Sequence, residues 1–87
     1  MVKEKFKPGV ANISSYLVSF ENSDLVGDYF IIHHNLRAQY PVVVVYNNTN
    51  TVAVPAGVIW LDEDRIKLDL TGSTPISGIW NARVVKD

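Results

Sequence analysis

Two adjacent histidines, His33 and His34, offer the most versatile chemistry in this 87-residue chain, because an imidazole can bind a metal or transfer a proton near neutral pH. Neighbouring residues of a strand point to opposite faces, so we expect one ring to face the interior and the other to face solvent. No acid or hydroxyl lies at a spacing that would complete a catalytic pair with either ring. We interpret the pair as a strand end whose histidine hydrogen-bonds the following corner. A metal held by one histidine from each subunit around a symmetry axis is the alternative.

Carboxylates are the second set of residues that could do chemistry, and the acidic run at residues 62–64 is the densest group. An EF-hand Ca²⁺ loop needs alternating acids, a glycine and a distal glutamate, none of which accompanies this run. Glu21, Asp28 and Asp69 follow no pattern that would bring two of them into one cleft, and P-loop, GxSxG and GxGxxG motifs are absent. We therefore predict a solvated hairpin turn at residues 62–64. We also predict no catalytic residue, no metal ligand and no cofactor, and hence a protein that is not an enzyme.

The elements that must position these residues belong to one small domain. Hydrophobic residues make up 47% of the chain, which argues against disorder. There is no cysteine, so neither a disulfide nor a thiolate metal site can reinforce the thin core of so short a chain. Domains of this size commonly gain stability by oligomerising or by docking onto a larger body, and we expect such a partner here.

Charge separates the N-terminus from the rest of the chain. Three lysines form a basic arm: Lys3, Lys5 and Lys7. Pro8-Gly9 marks a boundary, so we predict an arm at residues 1–9, either a solvated tail or a contact to an acidic neighbour, and one domain at residues 10–87. After these lysines the chain carries five basic and eight acidic side chains, which argues against the basic face of a nucleic-acid binder. No stretch has the pattern of a membrane span or a signal peptide, so we expect no membrane insertion.

Alternation of apolar and polar residues predicts an all-β fold. Seven segments have strand patterns: residues 15–21, 29–34, 42–46, 51–54, 57–61, 65–70 and 79–85. The four-valine run that begins at Val42 has no polar alternate positions, so we predict a strand buried on both faces. In a later strand, Ile66, Leu68 and Leu70 should face the core. Short strands with frequent turns predict a small antiparallel β-sandwich or partly open barrel of about six to seven strands.

The last strand carries the candidate binding residues. Trp80, Ala82 and Val84 share one face, whereas Asn81 and Arg83 lie on the other face beside two aliphatic residues. Aromatic residues and arginines are enriched at protein interfaces, so we predict Trp80, Asn81 and Arg83 as interface or attachment residues, together with the lysines of the arm. The same residues could contact a glycan, since aromatic rings stack on sugars and the polar side chains hydrogen-bond hydroxyls.

Several segments also resemble one known kind of module. They are HNL at residues 34–36, YPVVVVYNN at 40–48, VPAGVIWLDEDRIKLDL at 54–70 and TPISGIWNARVV at 74–85. Together they resemble a small β-sandwich module of bacteriophage tail-fibre, appendage and other virion surface proteins, over roughly Tyr16 to Val85. His34, Asn35 and Leu36 match the structural corner of that module. Many relatives carry a glycine after this leucine, where this chain has Arg37.

The resemblance implies a non-enzymatic virion structural protein, assembled in the host cytoplasm. Since the chain starts with Met and has no shaft-like repeat, we expect a cement-like module that decorates the capsid or tail. Its expected partners are further copies of itself, with a trimer as one option, and other virion proteins. The alternatives are a tail-fibre or appendage tip that binds a host receptor, and a carbohydrate-binding module that takes a host-surface glycan.

Overall fold

Seven antiparallel strands make up the fold of residues 14–86, the part of the chain that the computed structural model describes. The strands are β1 (Ser15–Phe20), β2 (Tyr29–His33), β3 (Val42–Tyr46), β4 (Val52–Ala53), β5 (Gly57–Asp62), β6 (Arg65–Asp69) and β7 (Trp80–Val85). One sheet, the front sheet, has the order β1-β7-β3-β4, and the other, the back sheet, has the order β2-β6-β5. The predicted all-β fold is confirmed, and the two sheets form a small sandwich; within residues 14–86 no barrel closes.

The centre of each sheet is the strand with the cleanest alternation. β7 pairs with β1 on one side and β3 on the other, so that Ala82 lies between Val18 and Val45. β6 pairs with β2 and β5 and directs Ile66 and Leu68, both fully buried, toward the front sheet. The predicted inward positions of β6 are therefore confirmed, because a period of two places alternate side chains on one face.

Aromatic contacts join the two sheets at one end of the core. Phe20 on β1 stacks on Phe30 on β2, with ring centroids 4.4 Å apart. Phe20 also meets Trp80 at 6.4 Å in a tilted arrangement. Aromatic rings in offset or tilted contact contribute beyond their buried area, so this cluster helps to fix the spacing of the sheets.

The loop from β6 to β7 is anchored on the turn that follows β1, a 3₁₀ turn at Asn22–Asp24. The N–H of Ile76 donates to Oδ1 of Asn22 at 3.0 Å, and Ile76 itself is buried. The hydroxyl of Thr74 donates to the carboxylate of Asp28. These bonds place the start of β7 next to the end of β1, its partner strand.

The valine run is buried on only one face, so the prediction of burial on both faces was wrong. Val45 is 1% exposed, whereas Val42 is 57% exposed. Val43 packs against the core and Val44 pairs with Arg83 on the outer side of the sheet. The back sheet covers the front sheet from one side only, and valine suits the pleated backbone of a strand whether or not its face is covered.

Smaller differences concern strand ends and the N-terminus. β2 ends at His33 and not at His34, and β7 begins at Trp80 and not at Ile79. The basic arm with Lys3, Lys5 and Lys7 lies outside the described residues. No helix within residues 14–86 is long and apolar enough to cross a membrane.

Candidate functional site

The outer side of the front sheet is an apolar surface around one arginine. Antiparallel register aligns Leu17, Arg83 and Val44 across three strands. Side chains in such a row lie about 5 Å apart, so the three form one continuous strip. We call this surface the front face. Its members are Ser15, Leu17, Ser19, Val42, Val44, Tyr46, Val52, Asn81, Arg83 and Val85.

The front face leaves large apolar side chains in water. Leu17 is 55% exposed, Val42 57% and Val52 59%. A shallow depression of about 280 Å³ in this face is lined by Leu17, Tyr46, Asn50, Asn81 and Arg83. Exposed apolar patches of this kind often mark the sites where a protein binds a partner.

Among the front-face residues named above, only Arg83 carries a formal charge. In the described part of the chain, the one salt bridge joins Arg65 to Asp62, so Arg83 has no acidic partner there. Beside it, Oδ1 of Asn81 accepts a hydrogen bond from the hydroxyl of Ser19 at 2.6 Å. This bond fixes the Asn81 amide next to a guanidinium that can donate to a partner's carboxylate.

The predicted set Trp80, Asn81 and Arg83 is split by the structure. Asn81 and Arg83 do lie together on the front face. Trp80 is 8% exposed in the core, where its indole N–H donates to the carbonyl of Ser77 at 3.2 Å. Its assignment as an interface residue is corrected, because adjacent strand residues cannot share one face. The other members, Leu17, Val42, Val44 and Val52, were missed because cross-strand register is needed to collect them.

The corner predicted from His34, Asn35 and Leu36 follows β2. We call residues 34–38 the corner. His34 is 3% exposed, and its Nδ1 accepts a hydrogen bond from the N–H of Leu36 at 3.0 Å. The expected bond between the histidine and its corner is thereby confirmed, as is the expectation of one inward and one outward ring, since His33 is exposed.

Two residues of the corner have left-handed backbone. Asn35 and Arg37 both have φ of 55°. Asparagine tolerates this region, but arginine does so at a cost of roughly 1–2 kcal/mol. Arg37 therefore adopts a conformation that glycine adopts without this cost.

The acidic turn between β5 and β6 holds the corner in place. The carbonyl of Asp64 accepts from the N–H of His34 at 2.9 Å and from that of Asn35 at 3.2 Å. The side-chain Oδ1 of Asp64 accepts a hydrogen bond from the N–H of Arg37 at 3.0 Å. The carbonyl of Glu63 accepts one from the N–H of Ala38 at 2.9 Å. The predicted hairpin turn is confirmed. It also holds the corner through these hydrogen bonds, which we call the clamp. Residues 14–86 contain no group of three His, Asp or Glu side chains that could hold a metal.

Burial controls the charge of His34. Burial lowers the pKa of the imidazole, while the carboxylates of Asp64 and Asp62 act more weakly in the opposite direction. Because Nδ1 accepts a bond, the proton of the neutral ring lies on Nε2, which has no partner within the described residues. The ring is thus buried, and only one of its two nitrogens has a hydrogen-bond partner within residues 14–86.

An exposed aromatic pair lies at the far end of the corner. Tyr40 is 61% exposed and Trp60 42%, and their rings meet edge to face with centroids 5.7 Å apart. The indole N–H of Trp60 donates to the carbonyl of Pro41 at 3.1 Å, which fixes the orientation of the ring. Sequence patterns could not separate this exposed tryptophan from the buried Trp80, because both lie at core-facing positions of their strands.

Comparison with known proteins adds no relative: no family model, no curated protein and no solved structure matches this chain. The resemblance to phage virion modules therefore stays a prediction.

Proposed function

We propose that this chain is a non-enzymatic structural module that assembles through its front face, on the surface of a phage particle where it decorates the capsid or tail. The observation that carries the proposal is the apolar strip of Leu17, Arg83 and Val44 with its neighbours. Burying such a strip against a partner stabilises the complex by about 25 cal/mol for each Å² of apolar surface that is removed from water. The virion setting is supported by the sequence resemblance alone.

Arg83 indicates what the partner must offer. A two-fold pairing of front faces would bury two guanidiniums in one apolar interface without an acid to neutralise them. A head-to-tail contact places the front face against a different surface, which can present a carboxylate to Arg83. Such contacts close into a ring when the rotation between neighbouring copies completes a full turn, so a cyclic oligomer such as a trimer fits, as does docking onto another virion protein.

Light scattering over a concentration series tests assembly directly. We expect wild-type oligomers that Arg83→Glu weakens by about 2 kcal/mol or more, roughly 30-fold in the dissociation constant. Lys67→Glu makes the same charge change on the outer side of the back sheet, and a loss of mass confined to Arg83→Glu would assign the contact to the front face. Equal masses for all three chains would remove the front face as a self-assembly site.

Docking onto the particle needs its own measurement. Co-sedimentation of the tagged chain with virions assembled in cells that express it should be high for wild type and low for Arg83→Glu. Deletion of residues 1–7 should weaken the attachment in a salt-sensitive way if the basic arm contacts an acidic neighbour. A chain that is monomeric at all concentrations and absent from virions would overturn the proposed function.

Host-glycan binding is the second candidate function, and the Tyr40–Trp60 pair favours it. Aromatic faces that are exposed and held in a fixed orientation can stack on sugar rings at low entropic cost. Titration of the chain with oligosaccharides, monitored by tryptophan emission, tests this candidate. Binding that Trp60→Ala abolishes and Arg83→Glu preserves would favour a receptor-binding tip over a lattice decoration.

A further inference from the structure

We propose that the corner is a proton-operated latch: protonation of His34 releases residues 34–38 from the β5–β6 turn while the two sheets stay folded. The central contact is the hydrogen bond from the Leu36 N–H to Nδ1 of His34, at 3.0 Å. A protonated imidazole carries hydrogens on both nitrogens and has no acceptor left. Protonation therefore turns this attraction into a clash of two N–H donors.

Burial couples protonation of His34 to exposure of its ring. The ring is 3% exposed and its Nε2 has no partner within residues 14–86. A cation in such a place has lost its hydration and gains no replacement bond. The ring can hold the proton only by moving into water, and the corner must then open with it.

The backbone of the corner favours release once that bond is lost. Asn35 and Arg37 both have φ of 55°, and opening lets them return to the extended or right-handed regions. The hydrogen bonds that oppose opening come from the acidic turn, where the carbonyls of Glu63 and Asp64 and the Asp64 carboxylate are the acceptors. The closed corner is also held by the burial of Leu36 and Ala38, which are 4% and 3% exposed, and the backbone strain offsets part of this stabilisation.

The charges around His34 set the pH at which the latch works. Asp64 and Asp62 on the β5–β6 turn favour the imidazolium and oppose the effect of burial. Asp62 is paired with Arg65 at 2.8 Å, and Arg37 is exposed within the corner itself. Burial is the stronger influence, so the pKa of His34 in the closed state lies below the ordinary imidazole value of 6.5.

Opening should reach the exposed aromatic pair. The chain continues from the corner through Tyr40 to Pro41, whose carbonyl accepts the hydrogen bond from the Trp60 indole N–H. Movement of residues 34–38 therefore alters the surroundings of Trp60. The emission of this tryptophan is a reporter that is already built into the chain.

Two readouts on the full chain between pH 8 and pH 4.5 test the latch. In ¹H–¹⁵N NMR, the amides of Leu36, Arg37 and Ala38 and the Trp60 indole should shift in one transition that involves a single proton and coincides with titration of the His34 ring. The amides of Val45 and Ala82, in the front sheet, should stay unchanged. The accompanying change in tryptophan emission should be lost in Trp60→Phe.

Variants decide whether His34 is the cause. His34→Asn keeps an acceptor near the Nδ1 position but cannot take a proton in this range, so the transition should disappear. His33→Asn removes the adjacent, exposed ring and should leave the transition intact. Arg37→Gly relieves the strain of the closed corner, and its midpoint should lie at lower pH than that of Arg37→Ala, which removes the same charge and keeps the strain.

Three results would overturn the latch. One is an unchanged set of corner amides down to pH 4.5. Another is the same transition in His34→Asn or, should that variant fail to fold, the same midpoint in Arg37→Gly and Arg37→Ala. The third is a simultaneous shift of the Val45 and Ala82 amides, which would mean global unfolding and not release of the corner.

Discussion

The carboxylate of Asp64 accepts a hydrogen bond from the backbone N–H of Arg37 at 3.0 Å, although the two residues lie 27 positions apart. Arg37 holds φ of 55° at that point. A non-glycine residue persists in this conformation only when its surroundings hold it there. The β5–β6 turn supplies that restraint, so the acidic run of the sequence serves to fasten the connection between the two sheets.

The strain at Arg37 predicts a stabilising substitution. Arg37→Gly should raise the free energy of unfolding by about 0.5–1 kcal/mol, because glycine adopts positive φ without the steric cost that arginine bears. Arg37→Ala is the matched control, since it removes the same side chain and keeps the strain. Urea denaturation measures both. Equal gains for Gly and Ala would show that the arginine side chain, and not the backbone, limits stability.

The clamp at the β5–β6 turn predicts a difference between two neighbouring acids. Asp64→Ala should cost about 1–2 kcal/mol, because the Arg37 N–H loses its acceptor. Glu63→Ala should be close to neutral, since only the backbone carbonyl of Glu63 contacts the corner. Asp64→Asn keeps an oxygen acceptor and should recover part of the loss. Urea denaturation of the three variants measures these differences. Equal losses in the free energy of unfolding for Asp64→Ala and Glu63→Ala would contradict the role of the Asp64 carboxylate.

The inner and outer valines of β3 should contribute differently to the free energy of unfolding. Val45→Ala removes methyl groups from a site that is 1% exposed and should cost about 2–3 kcal/mol. Val42→Ala, at 57% exposure, should cost less than about 1 kcal/mol. Thermal or urea unfolding of the monomer distinguishes them. Similar losses at both sites would restore the prediction of a strand buried on both faces.

Stability should fall with acid in two separate pH ranges. Burial lowers the pKa of His34 in the folded chain below the ordinary 6.5, so the unfolded state takes the proton first and folding weakens as the pH drops below that value. The slope is at most about 1.4 kcal/mol per pH unit for one group. Urea midpoints at pH 8, 7, 6 and 5 should decline for wild type, and His34→Asn should flatten the decline between pH 7 and 5.

The second range lies near and below pH 3.8. Hydrogen bonds from the Asp64 N–H and the Arg65 side chain lower the pKa of Asp62, and the hydroxyl and N–H of Thr71 do the same for Asp69. A depressed carboxylate pKa adds stability above its unfolded value, and this contribution is lost as the pH falls further. Asp69→Asn should therefore reduce the loss below pH 3.8 and leave the His34 range unchanged.

The β-class of the fold and much of its core could be predicted from residue order alone. A period of two in β6 and β7 fixes which side chains share a face, and Ile66, Leu68, Ala82 and Val84 are all buried as that period requires. The β5–β6 hairpin could be predicted too, because turn residues between alternating segments act locally. These features depend on residues that are close together in the chain, so the order of residues is enough to predict them.

Tertiary structure decided which faces are covered and which distant residues meet. The valine run looks the same whether one or two faces are buried, and only the position of the back sheet leaves Val42 exposed. The front face needs the register of three strands to bring Leu17, Arg83 and Val44 into one row. The Asp64 clamp joins elements that no periodicity links. Periodicity assigns a side chain to a face, but packing between layers determines whether that face meets protein or water.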